Sequence, residues 1–177
     1  MDWPEYDNRL TGRTDHAAAQ ILLSEAGHEP TETLVRDAME AKRNAFQGRF
    51  CHELSIHPQT REWITQASNY LTLAVVSSSL RSEVEPLLEQ EKILPHLAVV
   101  VCGDDVKRHK PDPEPYRLAF ERLSKTDGQI QVENCLAVED SSASVKSAQA
   151  AGMKVCKVGA PSEVPAGLRR ETQIVRL

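Results

Sequence analysis

The sequence predicts an α/β protein with a doubly wound, mostly parallel sheet, preceded by a small all-helical region. Three observations predict it. Apolar runs recur at 71–76 (LTLAVV), 97–101 (LAVVV), 135–139 (CLAVE) and 154–158 (KVCKV). Each is short and mostly continuous rather than alternating, the pattern of strands covered by helices on both faces. Helix-like segments separate the runs, and such strand–helix alternation builds parallel sheets. Residues 1–57 read as helices only, so the helical region is assigned to 1–57 and the α/β core to 58–177.

The elements follow in order. Thr14 or Asp15 caps a helix through HAAAQILLSEA, and Gly27 is placed to end it. A second helix fits Glu32 to Gln47, with Leu34, Val35, Ala38, Met39 and Phe46 on one face. PQTREWITQAS reads as a helix leading into LTLAVV. SLRSEVEPLLEQEK reads as the next, with Pro86 tolerable only near its first turns. DPEPYRLAFERLSK opens on prolines, which suit a helix start. A helix from about Ser142 to Ala151 lies between CLAVE and KVCKV, and QIVRL (173–177) is a candidate last strand.

Composition excludes several classes. The chain has 177 residues, 40% apolar and 27% charged, which rules out disordered and collagen-like chains. Lysine plus arginine number 21 against 26 aspartate plus glutamate, a net charge of −5. That balance argues against nucleic acid or an anionic membrane as the main partner. No apolar run approaches the roughly 20 residues needed to span a bilayer. MDWPEYDNRL has neither the basic start nor the apolar stretch of a signal peptide. Cys51, Cys102, Cys135 and Cys156 form no CxxC pair and are expected as small buried hydrophobes in a reducing compartment. A cytoplasmic location is therefore expected.

Ligands of such sheets bind at the carboxyl ends of the strands, and three polar segments sit there. Ser77, Ser78 and Ser79 follow LTLAVV, where hydroxyls and free N–H groups at a helix N-terminus suit an anion or simply cap the helix. CGDDVKRHKPDP follows LAVVV, and Pro111 and Pro113 stiffen the stretch after Lys110 so that the lysine is held in one direction. Glu139 and Asp140 end CLAVE, and adjacent carboxylates suit a hard cation such as Mg²⁺. Each segment has a bland reading alone. Together they equip one rim to grip a phosphate with Mg²⁺.

LTLAVVSSS (71–79), GDDVKRHKPDPEPY (103–116) and VEDSSASVKSAQAAGM (138–153), with LTGRTD (10–15), resemble the haloacid dehalogenase-like (HAD) hydrolase superfamily. The resemblance is to its β-phosphoglucomutase and phosphoglycolate phosphatase-like branch. It implies a three-layer Rossmann-like parallel core with a small helical cap over residues 1–57. By that resemblance Ser77 bonds the transferring phosphoryl group, Ser78 offers a backbone N–H, and Lys110, not Lys107, neutralises charge. Asp140 is the expected Mg²⁺ ligand and Glu139 its inner or water-bridged neighbour. Gly12 and Asp15 match substrate-facing cap positions, and Arg13 and Lys42 are candidates for a second anionic group. The implied substrate is a small phosphorylated metabolite, a sugar phosphate or a phosphoglycolate-like compound.

The family's opening DxDx[TV] motif, which carries the nucleophile, has no match: no Asp-x-Asp occurs in the chain. The implied central strand is missing too, and an N-terminal truncation is the simplest account. Asp104 and Asp105 are the conceivable substitutes but lie on the wrong strand. The expectation is a weakly active or inactive chain, or a non-catalytic phosphate-binding relative serving as sensor or partner subunit. A complementing N-terminal segment or a homo-oligomer would be the protein partner. The bared strands at 71–76 and 135–139 should pair directly, be bridged by another segment such as QIVRL, or leave the chain prone to aggregate.

Overall fold

The computed structural model describes residues 9–10, 13–46, 56–126 and 128–159. Two helices come first. Helix α1 spans Asp15–Glu25, and the Thr14 hydroxyl accepts from the Ala17 N–H at 3.1 Å. Gly27 follows at φ +81°, the left-handed conformation that lets a chain leave a helix without a Cβ clash. Helix α2 spans Glu32–Ala45 under a Thr31 cap, packs on α1, and buries Val35.

The α/β elements alternate as expected. Helix α3 (Pro58–Ala67) leads to β1 (Ala74–Val76), then α4 (Arg81–Gln90), β2 (Val99–Val101), α5 (Glu114–Thr126), β3 (Leu136–Glu139), α6 (Ser142–Ala150) and β4 (Lys154–Lys157). The strands are shorter than the apolar runs that predict them. Pro86 is the sixth residue of α4, beyond the first turn. It falls in the second turn, near the start as expected, where it removes one donor and leaves the helix intact.

Among the described residues all pairing is parallel, but the sheet is divided. β1 pairs with β2 and β3 with β4, giving two two-stranded sheets. β1 and β3 do not pair, so direct closure of the two bared strands is excluded. QIVRL lies outside the described residues. The division shows in burial. Ala74, Val75 and Val76 are only half-buried, whereas Val99 and Val101 of β2 are buried. The covering expected on both sides of a continuous apolar run is therefore incomplete at β1. Helix α5 packs against β1, β2 and α6, and so joins the two halves.

The outer edge of β2 is well covered. The Val100 carbonyl accepts from Arg81 at 3.2 Å and from Arg122 at 3.1 Å. Both guanidinium groups also grip Asp105, at 2.5 and 3.2 Å, and Asp105 accepts from the Cys102 N–H at 2.8 Å. Desolvation pushes the Asp105 pKa up, but the Cys102 N–H and the two arginines outweigh it and lower it. A lowered carboxyl pKa adds stability above its unfolded value and loses it as pH falls through the folded value. Asp105→Asn is therefore expected to lower stability by about 2 kcal/mol near neutral pH, with the gap closing below about pH 4. Urea titrations of both proteins at the two pH values would check this.

Cys102 and Cys156 are buried and free, and Cys135 is half-buried. Burial pushes the Cys102 thiol up to about 11, as suits a small hydrophobe rather than a nucleophile. Cys51 lies outside the described residues. No helix among the described residues is long and apolar enough to cross a membrane.

Candidate functional site

The gap between the half-sheets is a cavity of about 680 Å³, lined by residues 71–78 on one side and 134–141 on the other. Its polar end lies at the carboxyl ends of β1 and β3. Ser77, Ser78, Lys110, Glu139, Asp140 and Ser144 all line it. The three loops singled out from the sequence therefore meet in one cavity.

Lys110 organises this end. It is 6% exposed, and its Nζ donates to the Val76 carbonyl at 2.9 Å and to Ser144 Oγ at 3.1 Å. Glu139 Oε1 lies 3.5 Å away, and the ammonium sits 4.9 Å from the centre of the Tyr116 ring. Burial disfavours the ammonium and lowers its pKa, while Glu139 and Asp140 partly restore it. Tyr116 donates its hydroxyl to the same Glu139 oxygen. Burial, and the neighbouring carboxylates, push the Tyr116 pKa up, so the phenol stays protonated as a donor.

The serine loop is shaped by its own backbone. The Ser77 hydroxyl accepts from the Ser79 N–H at 3.1 Å, and the Ser77 N–H continues the ladder to Val101. The Ser78 N–H has no partner among the described residues, as a group kept for a ligand should. Ser79 does not line the cavity. Its carbonyl accepts from the Gly103 N–H at 2.8 Å, which ties the serine loop to the loop after β2. Simple N-capping by these serines is also excluded. The cap of α4 is Leu80, and the carboxylate of Asp104 receives the Arg81 N–H at 3.0 Å. Asp104 caps a helix and Asp105 is held between two arginines, so neither replaces a nucleophile.

The helical candidates fall elsewhere. Arg13 is exposed and donates to the Arg9 carbonyl at 2.5 Å. Lys42 Nζ bridges Asp15 at 2.7 Å and Glu83 at 3.1 Å. Partial burial opposes its charge, but the two carboxylates outweigh it and raise its pKa. Arg13, Asp15 and Lys42 do not line the cavity. Lys42 is committed to carboxylates rather than open to a substrate anion. Gly12 lies outside the described residues. Lys107 is exposed and uses its N–H on Glu114 at 2.8 Å, which leaves Lys110 as the lysine of the site.

Glu139 and Asp140 suit a hard cation in part. Mg²⁺ is held by one or two carboxylates with waters and phosphate oxygens completing its shell. Asp140 is exposed and lines the cavity, while Glu139 is engaged by Lys110 and Tyr116. Asp140 is thus the better direct ligand and Glu139 the better water-bridged one. Among the described residues no cluster of three His, Cys, Asp or Glu side chains could hold a metal.

Sequence reasoning missed Tyr116 and Ser144. Tyr116 closes the GDDVKRHKPDPEPY string, and Ser144 sits one helical turn beyond Asp140. Nothing in either spacing shows that both turn toward Lys110.

Fold and rim together define a parallel α/β protein with its polar groups converging where the strands end. The haloacid dehalogenase-like hydrolase profile matches residues 3–158, and the chain belongs to that family. It is 30% identical over 135 residues to a phosphoglycolate phosphatase of Nitrosospira multiformis, covering 76% of this chain and 57% of that one. It is 28% identical over 172 residues to protein CbbY of Rhodobacter capsulatus, covering 93% and 73%. The chain thus spans little more than half of the first relative. The crystal structure of CbbY from Rhodobacter sphaeroides in complex with phosphate superposes with a TM-score of 0.72 at 26% identity, over 87% of this chain and 68% of that one. A β-phosphoglucomutase from Clostridium difficile shares the fold, with a TM-score of 0.74 at 18% identity over 93% and 73%.

Proposed function

We propose that the chain forms the phosphate-gripping part of a HAD-type phosphohydrolase or phosphomutase acting with Mg²⁺ on a small phosphorylated metabolite, a sugar phosphate or a phosphoglycolate-like compound. The observation that carries this reading is the shared cavity of Ser77, Lys110 and Asp140. The phosphoglycolate phosphatase relative and the phosphate-bound CbbY structure support the substrate class. Ser77 and the Ser78 N–H would donate to phosphate oxygens, and Lys110 would offset their charge. Asp140, with Glu139 behind it, would hold Mg²⁺, which supplies electrostatic stabilisation of the phosphoryl group. Helices α1 and α2 would act as the cap over this rim, with Asp15 and Lys42 fastening it.

Attack on phosphorus needs a nucleophile, and Asp104 and Asp105, the substitutes the sequence offers, are engaged elsewhere. Binding without efficient turnover is the expected behaviour, because positioning and charge stabilisation leave only a residue of covalent catalysis. A sensor or partner subunit that binds phosphate without turnover is the second reading, favoured by the same commitment of Asp104 and Asp105.

Calorimetry with inorganic phosphate and Mg²⁺, alongside p-nitrophenyl phosphate turnover, tests this. Phosphate binding should weaken about tenfold in Ser77→Ala, the loss of one charge-assisted hydrogen bond. Its Mg²⁺ dependence should disappear in Asp140→Ala. Absence of binding would overturn the phosphate reading. Robust turnover abolished by Asp140→Ala would overturn the missing-nucleophile reading.

A further inference from the structure

The pairing of β1 with β2 continues past the ends of both strands. The Ser77 N–H donates to the Val101 carbonyl at 2.8 Å, and the Gly103 N–H donates to the Ser79 carbonyl, also at 2.8 Å. Further along, the Arg81 N–H donates to Asp104 Oδ1 at 3.0 Å. Residues 77, 79 and 81 are thus pinned in turn to β2 and to the loop that follows it. Ser78 stands between the first two pins, and its N–H has no partner among the described residues.

The third pin differs from the other two. They are main-chain bonds, available to any residue with an N–H and a carbonyl. The third depends on a side chain. The N–H groups in the first turn of a helix have no partner within the helix, and a serine ahead of it is a common acceptor. Three serines stand ahead of α4, yet its N-cap is Leu80, which makes no side-chain cap bond. The Ser77 hydroxyl accepts from the Ser79 N–H instead, so its own proton remains available to a ligand. Asp104 reaches across from the loop after β2 and takes the Arg81 N–H. It thereby relieves the serines of capping and fixes the chain just beyond the turn that carries them. Asp104 is exposed, so replacing it opens no cavity. The Arg81 guanidinium keeps its bond to the Val100 carbonyl at 3.2 Å and its pairing with Asp105 at 2.5 Å.

We propose that Asp104 is a positioning residue for the phosphate site. By capping α4 from a neighbouring loop, it holds the Ser77–Ser79 turn in the shape that presents the Ser77 hydroxyl and the Ser78 N–H to a phosphate oxygen. The inference rests on the phosphate reading of this rim and adds to it a residue that touches no ligand. A cap that served α4 alone would change melting and leave binding untouched.

The test compares the full wild-type chain with Asp104→Ala and Asp104→Asn, using inorganic phosphate with Mg²⁺ as the probe. Asparagine keeps an oxygen acceptor and caps helices about as well as aspartate, whereas alanine has no acceptor. A turn that is correctly shaped only part of the time binds in proportion to that fraction. Asp104→Ala should therefore weaken phosphate binding about fivefold by calorimetry and lower Tm by roughly 2–4 °C, and Asp104→Asn should restore both. In phosphate-free buffer, the hydrogen-exchange protection of the Gly103 amide, which grips the turn at Ser79, should fall about fivefold in Asp104→Ala and stay unchanged in Asp104→Asn. A lowered Tm with wild-type affinity in Asp104→Ala would overturn the proposal in favour of helix capping alone. Equal weakening in both variants would overturn it by showing that the charge matters and the hydrogen bond does not. Tighter binding in both would overturn it by making Asp104 a repelling charge beside the site. A wild-type chain that binds no phosphate would sink the phosphate reading by itself. The Gly103 amide reads the hold on the turn without phosphate, and unchanged protection in Asp104→Ala would overturn the positioning role in either case.

Discussion

Lys110→Met is expected to destabilise the chain by about 3–5 kcal/mol and to abolish phosphate binding. Methionine keeps much of the apolar stem but removes the ammonium of this 6% exposed residue, which bonds Val76, Ser144 and Glu139. The Glu139 carboxylate would then keep only the Tyr116 hydroxyl as a close donor, in a setting that Lys110 had neutralised. Removing one member of a buried pair costs far more than removing both, because the survivor's charge stays desolvated. The double variant Lys110→Met/Glu139→Gln should therefore recover part of the loss. Urea unfolding of the two single variants and the double variant measures the coupling directly. Equal losses in the Lys110 single and double variants would show that the pair does not hold the half-sheets together.

Gly103→Ala should cost about 3 kcal/mol, at the upper end for an overpacked site, and weaken phosphate binding at least about tenfold. A Cβ at this position would stand 2.4 Å from the Ser78 carbonyl oxygen, 3.1 Å from its carbon and 3.3 Å from the Ser79 oxygen. All three atoms are backbone, so no side chain can swing aside. Relief requires moving the turn that presents Ser77 and the Ser78 N–H. Thermal melts give the stability loss, and a phosphate titration of the surviving folded fraction separates the damage to the turn. A variant with wild-type Tm and affinity would mean that the contact between these loops relaxes freely.

The parallel α/β class and the order of its elements were legible because continuous apolar runs report burial of strand faces. Strand edges leave no such trace. Their demands are backbone hydrogen bonds, identical for every residue but proline, so LTLAVV and CLAVE do not themselves reveal that β1 and β3 each have one side unpaired among the described residues; that expectation comes from the missing DxDx[TV] strand. Lys110 was legible because Pro111 and Pro113 single it out in a basic loop. Its partners were not, since the Val76 carbonyl and Ser144 lie 34 residues away on either side. Of the serine triplet, Ser77 and Ser78 line the cavity and Ser79 does not, its carbonyl being engaged by Gly103. Lys42 read as a candidate anion binder because a lysine's availability depends on what folds beside it. Glu83 is 41 residues further along the chain.

That Lys42 contact ties the N-terminal helix pair to α4. Glu83 is only 4% exposed, and its carboxylate meets an ammonium that also serves Asp15 and is itself nearly half open to water. A fastening of this kind is Coulombic and borders solvent, so dissolved ions weaken it far more than they weaken apolar packing. Ionic strength should therefore weaken the Lys42–Glu83 tie between α2 and α4, while the apolar packing of the strands stays intact.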